Sequence, residues 1–344
     1  MAVLNPPLVE HLALMATRAP SVHNTQPWQL VVTAEGIEVR ADRTRQLTVI
    51  DPLGRQLLVS CGALVHHLVV ASHAAGLDTD VALIPDADAP DLVARVRMSV
   101  RHGEPSRPEV AAAEAVLHRA THRRRFVDGA LDPSSIDALR ALVEQQGAAL
   151  GLLRHEDRVP LDALLERAER ELLSDEAYQH ELSAWVFDPD REGERDDGIP
   201  LAALDSGLGR AEELPGRRFL PGGSSEHLLV PPEHPAVVVL TTPGDAHLDW
   251  VRCGMALSAL LLGAEGLGLV AQPLGQVTDV AAERAVLRQE LGLVGVPQLV
   301  LRLGRAVEAV GLLTPRRPVD RVLTWAVDLR AELELAPVAE ARLA

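Results

Sequence analysis

The chain contains no lysine: all 33 of its basic residues are arginine, against 49 Asp and Glu, for a formal charge of −16 at pH 7. That acidity argues against a nucleic-acid backbone as the main partner. It also means that an anion site here must be built from guanidinium forks and backbone amides. Cysteine is nearly as scarce. Cys61 and Cys253 offer no disulfide framework and no paired metal-ligand spacing. Aromatic residues make up 2% of the chain although 47% is hydrophobic, so the core must be Leu, Val and Ala. At 344 residues the length suggests two domains or one internally doubled one.

Other absences narrow the function. The first 18 residues lack a basic segment, an adequate apolar run and a small-residue cleavage site, so a cytoplasmic protein without signal peptide is expected. Residues 56–77 carry no charged side chain over about the length of a bilayer span. Ser60, His66, His67, Ser72 and His73 interrupt that run, and it reads as a buried helix rather than a membrane segment. There is no G-x-S-x-G elbow, and neither cysteine sits in a basic setting, which excludes the usual hydrolytic nucleophiles. His118 and His122 stand at i, i+4, but no third ligand completes a metal site and the neighbouring arginines would repel a cation.

What is present centres on residues 19–28, A-P-S-V-H-N-T-Q-P-W. Pro20 and Pro27 remove backbone donors and fix φ, so the stretch is neither mid-helix nor central strand. It reads as a rigid loop presenting Ser21, His23, Asn24, Thr25 and Gln26, anchored by Trp28. Such a loop suits a flat polar heterocycle. It equally suits a plain helix end and turn whose polar groups bond local backbone. A helix is expected over 8–18, strands over 29–33 and 36–40, and the buried helix from 56 to near Gly76. Strands follow over 78–85 and 93–100, then a polar linker and a helix over 109–118. A Ser-x-x-Asp capping signal starts a helix at Ser134, and a strand over 150–155 precedes one long helix over 161–186. Between 187 and 235 the periodicity dissolves, which marks a lid, a binding loop or disorder. Strands at 236–242 and 298–303 bracket a second buried helix at 250–264.

Placing Cys61 over Cys253, an offset of 192, also superposes Val59 on Val251, Gly62 on Gly254, Leu68 on Leu260 and Gly76-Leu77 on Gly268-Leu269. Duplication is one explanation; the resemblance of Leu- and Ala-rich helices is the other. Two similar halves would pair their buried helices about a pseudo-twofold axis. Gly266-Leu267-Gly268-Leu269-Val270-Ala271 fits the dinucleotide pattern G-x-G-x-x-A. It follows a helix and opens a strand, the reverse of the required context, so it reads as a helix C-cap. The tight loop Gln272–Gln276 comes next, with backbone amides that could meet a ligand. Arg119, Arg123, Arg124 and Arg125 form one basic cluster and Arg316-Arg317 a second; guanidinium forks suit a phosphate.

These pieces together resemble the flavin-dependent nitroreductase family, and more closely its double-length, Acg-like actinobacterial branch. The matching segments are A-P-S-V-H-N-T-Q-P-W (19–28), D-P-L-G-R-Q-L-L-V-S-C-G (51–62), R-A-T-H-R-R-R-F (119–126), G-L-G-L-V-A-Q-P-L-G-Q (266–276), E-L-G-L-V-G-V-P-Q (290–298) and T-P-R-R-P-V (314–319). The resemblance implies an α+β, nitroreductase-like fold, internally duplicated into a pseudo-dimer with buried central helices and mixed or antiparallel sheets. Its halves would be 1–108 and 109–330, with a lid-like insertion at 187–235 and a tail at 331–344. It implies one FMN per chain, with NAD(P)H as reductant and nitro or quinone-like small molecules as acceptors. Pro20, Ser21, Asn24 and Gln26 would lie at the loop beside the ring. Arg119, Thr121, Arg123, Arg124, Arg316 and Arg317 would hold the phosphate end. Pro273, Leu274, Gly275 and Gln276 would form the loop at flavin N5, Gly275 or Gln276 giving the amide. The family's pocket lysines have no counterpart here. A flavin-sequestering or sensing protein of the same fold, without turnover, is the alternative. No nucleic-acid or membrane partner is implied, and a pseudo-dimeric monomer is.

Overall fold

The computed structural model describes residues 4–204, 233–307 and 314–326. Helix α1 (Pro6–Ala16) starts where the Asn5 side chain accepts from the Leu8 amide, and stops short of Pro20. The loop follows as a short 3-10 turn, Val22–Asn24, and feeds β1 (Trp28–Thr33) and β2 (Gly36–Ala41). Then come the central helix α2 (Arg55–Ala74), β3 (Leu77–Leu83), β4 (Leu92–Val100) and α3 (Arg107–His118). These boundaries agree with the periodicity of the sequence to within two or three residues.

Helix α4 (Pro133–Glu144) is capped by Asp132, whose side chain accepts from Ser134 N–H, so the cap lies two residues before the expected Ser134. After β5 (Ala149–Leu152), the single helix expected over 161–186 is two: α5 (Arg158–Ser174) and α6 (Glu176–Trp185). Asp175 breaks the run. Its backbone is extended and its carboxylate accepts from the amides of Ala177 and Tyr178, restarting the helix in a new direction. The stretch expected to be a lid begins with a small parallel pair, β6 (Val186–Phe187) and β7 (Ile199–Pro200), around α7 (Pro189–Glu192). Its portion 205–232 lies outside the described residues. The chain continues through β8 (Ala236–Thr242), the second central helix α8 (His247–Gly266), β9 (Val270–Pro273), α9 (Gln276–Asp279), α10 (Ala281–Glu290), β10 (Val296–Gly304) and β11 (Leu323–Trp325).

Two sheets sandwich the central helices in an α+β arrangement. One has the order β11-β1-β2-β4-β3, the other β5-β8-β10-β9. Strand β11 crosses back from the far end of the chain and pairs in parallel with β1, Leu30 opposite Leu323, so the first sheet draws on both ends of the sequence. One hydrophobic cluster of Leu, Val and Ala joins both sheets to α2 and α8. Of the few aromatic residues, Trp28 is fully buried there.

The α2–α8 contact is self-complementary at the offset of 192. A Cβ on Gly62 would lie 2.1 Å from Val251 O, and one on Gly254 would lie 1.9 Å from Val59 O. His66 Nδ1 meets Ser258 Oγ at 2.8 Å, again 192 residues apart. Only glycine at both crossing positions lets the backbones approach so closely. Burial holds His66 neutral, its pKa pushed down to about 4. Helix α2 is long and apolar enough to cross a membrane by composition, but 72% of its apolar window is buried inside this fold. Cys61 and Cys253 are fully buried on the paired helices; burial pushes both thiols up, Cys253 to about 12.

Candidate functional site

The proline-framed loop is strained, and side chains hold the strain in place. His23, Asn24 and Gln26 have φ of 46°, 56° and 49°, a region that non-glycine residues enter rarely. Ser21 Oγ accepts from Gln26 N–H (2.9 Å), closing the loop on itself. Asn24 Nδ2 donates to Gly198 O (2.8 Å) and Pro315 O (3.0 Å), while its Oδ1 accepts from Arg316 Nη1 (3.1 Å). Gln26 Nε2 donates to Asp196 O and its Oε1 accepts from the Arg317 amide, both at 2.9 Å. Residues 196–198, from mid-chain, and 315–317, from near its end, are thereby stitched onto the loop.

The loop forms one wall of a cleft with two connected compartments that share Pro20, Ser21, Thr121 and Arg123. The smaller, about 450 Å³ including its open mouth, is lined by Asn24, Arg119, Ala120, Thr314 and Arg316 besides the shared residues. The larger, about 810 Å³, has Val22, His23, Gln56, Val59 and Ser60 on one side. Leu257, Gln272, Pro273, Gly275, Asp279 and Leu299 stand on the other, with Ile199 from the 187–204 segment. Its floor is therefore the junction of α2 and α8. Thr121 is fixed by a bridge to Ala271 of β9, which brings the arginine-rich turn up to the sheet edge.

The small compartment is cationic. Arg119 is 7% exposed, and its Nε and Nη1 have no partner among the described residues; its Nη2 reaches Arg18 O, at 3.4 Å. Arg316 Nη2 donates to the same carbonyl at 3.1 Å, and its Nε is buried without a partner among the described residues. Burial pushes the Arg119 and Arg123 guanidinium groups down to about 10, and Arg316, with Arg119 beside it, to about 9. Guanidinium stays protonated at such values, so these shifts reflect the cost of holding the charges away from water. An anion placed among them would offset that cost. The arrangement is a largely apolar slot, with Arg123 and Asp279 among its lining, ending in a pocket of guanidinium groups.

A sequence profile of the nitroreductase family matches residues 148–305. Rv3131 of Mycobacterium tuberculosis, named as a candidate NAD(P)H nitroreductase, is 32% identical over 326 residues, covering 93% of this chain and 92% of that one. The chain belongs to the nitroreductase family. Acg, a similarly named mycobacterial protein, is 30% identical over 322 residues, 92% of this chain and 95% of its own. Among solved structures, a nitroreductase with bound FMN from Desulfitobacterium hafniense aligns over 63% of this chain and 98% of its own, at 14% identity and a TM-score of 0.39.

In this chain, Pro20, Ser21, Asn24, Arg119, Thr121, Arg123, Pro273, Gly275 and Arg316 line the cleft. The other expected residues do not. Arg317 turns away: its Nη1 donates to Gln26 O (3.1 Å) and Trp28 O (3.5 Å) and its Nη2 to Arg321 O (3.3 Å). Its role is to clamp the loop from behind. Gln26 spends its amide on the same clamp. Leu274 is fully buried in the second hydrophobic cluster and gives its N–H to Val300 O (2.7 Å), and the Gln276 side chain is also buried. Arg124 stands outside both linings. Sequence reasoning did not assign Gln56, Ser60, Asp279 or Ile199 to the site, and it took Gln272 only as the first residue of the tight loop before Gly275. For Gln56 and Gln272 a signal existed, since both fall inside the segments that carry the family resemblance.

Proposed function

We propose that this chain is an FMN-binding oxidoreductase that uses NAD(P)H to reduce nitro- or quinone-like small molecules. The observation that carries this reading is the pocket of buried guanidinium donors, Arg119 Nε and Nη1 and Arg316 Nε, which lack partners among the described residues. Unpaired buried cations cost several kcal/mol unless a counter-charge joins them (order of magnitude,). A phosphomonoester brings that charge and accepts from several donors at once. The adjoining slot is walled on its apolar side by Val59, Leu257, Leu299 and Ile199.

FMN, when bound, supplies the hydride chemistry; the protein supplies binding and orientation. Arg119, Arg123 and Arg316 hold the phosphate, and Asn24 positions Arg316. Ser21 and Pro20 border the passage between compartments, and the backbone at Gly275 meets the ring from the opposite wall. The two walls belong to the two proposed halves of the chain, 1–108 and 109–330. Duplication is supported by the self-complementary α2–α8 contact. One cofactor per chain follows from their divergence. Ser60 Oγ accepts from Val22 N–H and seats the loop, whereas the residue 192 positions on is Arg252.

A second reading, flavin sequestration without turnover, is favoured by one observation: Ile199 lies in the cleft lining on a segment tied to Asn24 and Gln26. One experiment separates the two. Purified protein is expected to be yellow and to bleach anaerobically on addition of NADPH. Colourless protein that takes up no FMN would refute both readings, and bleaching by dithionite but not by NADPH or NADH would leave sequestration.

A further inference from the structure

We propose that the ring end of the cleft reads a cyclic imide edge, alternating C=O and N–H, through two glutamines locked in opposite senses. The proposal deepens the FMN reading above and rests on it. Gln56, on α2, donates Nε2 to Asp279 Oδ1 at 2.6 Å. A carboxylate oxygen accepts, so one amide N–H is directed there and Oε1 is turned away from Asp279, toward the cleft. Arg55 holds the same Asp279 oxygen from a second direction, at 3.0 Å.

Gln272, on β9, is fixed the other way. Arg302 donates Nε to Gln272 Oε1 at 3.1 Å and adds Nη2 to the same oxygen. Guanidinium carries no acceptor, so Gln272 turns its Nε2 to the cleft. Arg302 cannot drift, because Glu233 holds its Nη1 at 2.7 Å and the Phe126 ring lies beneath it at 4.9 Å. Flipping either amide would set oxygen against carboxylate or NH2 against guanidinium. The orientations therefore follow from the charged partners and not from an arbitrary choice of amide atoms.

The cleft thus offers one fixed acceptor from the α2 wall and one fixed donor from the β9 wall. Gln56 is 6% and Gln272 8% exposed, so neither amide is well served by water once the cleft is filled. A nitroarene or a quinone ring presents acceptors only and leaves Gln56 Oε1 unmet. The pyrimidine ring of a flavin presents N3–H between two carbonyls and satisfies both. Gln56 and Gln272 then do at this edge the selective work that lysines cannot do in a lysine-free chain.

The test uses apoprotein titrated with FMN and with 3-methyl-FMN, read by quenching of flavin fluorescence. Wild type is expected to prefer FMN by about ten- to a hundredfold, since methylation removes the N–H and strands a buried acceptor. Gln56→Leu should weaken FMN about tenfold and bring the ratio of the two flavins to near one. Gln272→Glu keeps the bond to Arg302 but removes the donor, so it should weaken both flavins at least fivefold with the ratio intact. Gln56→Met replaces the Leu variant if that fails to fold. Wild type that binds both flavins equally, or a Gln56 variant that still discriminates, overturns this inference alone. Wild type that quenches neither flavin overturns the FMN reading and this inference with it.

Discussion

Two kinds of buried arginine coexist in this chain, and the contrast between them locates the site. Arg55 and Arg302 each face a carboxylate, Asp279 at 3.0 Å and Glu233 at 2.7 Å, with the remaining donors met by carbonyls or amides. Arg119 is as deeply set and Arg316 is half-buried, yet their contacts are a shared carbonyl and, for Arg316, the Asn24, Thr314 and Pro315 oxygens. Paired arginines finish a structure. Arginines that are left short of acceptors and of negative charge leave room for a ligand that carries both. Composition cannot distinguish the two kinds, since all are the same residue in an acidic chain.

The sharpest way to break the contrast is to delete one of each kind. Arg55→Ala strands the Asp279 carboxylate and frees two carbonyls, Gln298 O and Thr278 O. A loss of about 3–5 kcal/mol in unfolding free energy is expected, read by urea denaturation of the apoprotein. Arg119→Met should do the reverse to the apoprotein, holding or raising its stability, because an uncompensated charge is removed from a buried position. In exchange it should weaken FMN by about 1.5–3 kcal/mol, the worth of hydrogen bonds to a charged group. Equal destabilisation by both variants would erase the distinction.

Asp51 sharpens the same comparison from the acidic side. It is 4% exposed, and Arg55 beside it is committed to Asp279. Burial pushes its pKa up to about 6, against the lowering effect of hydrogen bonds from the Leu57 and Gln56 amides. A carboxyl whose folded pKa is raised gives stability that is fully present below its unfolded value near pH 4. That stability is lost as pH rises through about 6. The full swing is about 3 kcal/mol. Asp51→Asn keeps an acceptor for Leu57 N–H and removes the titration. Its stability advantage over wild type should therefore grow between pH 4 and 6 and then level off. A pH-independent difference between the two proteins in thermal melts would show that Asp51 is not the group responsible.

How much of this was legible beforehand depends on whether the cause was local. Prolines at 20 and 27, the glycine after Pro273 and the arginine-rich turn carry their meaning within a few residues, and the cleft brings those three segments together. The offset of 192 was visible as text, and the Gly62–Gly254 crossing supplies its physical reason. The break at Asp175 was hidden because an aspartate inside an amphipathic run looks like a surface position until its carboxylate is seen capping the next helix. The partners of Gln56, Gln272, Arg55 and Arg302 lie 30 to more than 200 residues away in sequence, and no window contains them.

Arg316 and Arg317 show the limit most clearly, and they give the smallest of the expected effects. Adjacent side chains in extended chain point to opposite sides, and Pro318 biases Arg317 toward the extended region. One guanidinium of the pair can face the cleft; the other must face the loop's back. Arg317 is 9% exposed by side chain and spans Gln26 O, Trp28 O and Arg321 O, with Asp42 at 3.8 Å. Arg317→Ala should therefore cost about 1–1.5 kcal/mol of stability through lost hydrogen bonds, with FMN affinity changed less than threefold (about 0.6 kcal/mol,). Arg316→Ala should show the opposite split, at least tenfold in affinity with little effect on melting (about 1.4 kcal/mol,). Flavin titration and melting of the two single variants side by side measure it. Equal losses of FMN affinity would place both guanidinium groups at the phosphate and refute the division of labour between neighbours.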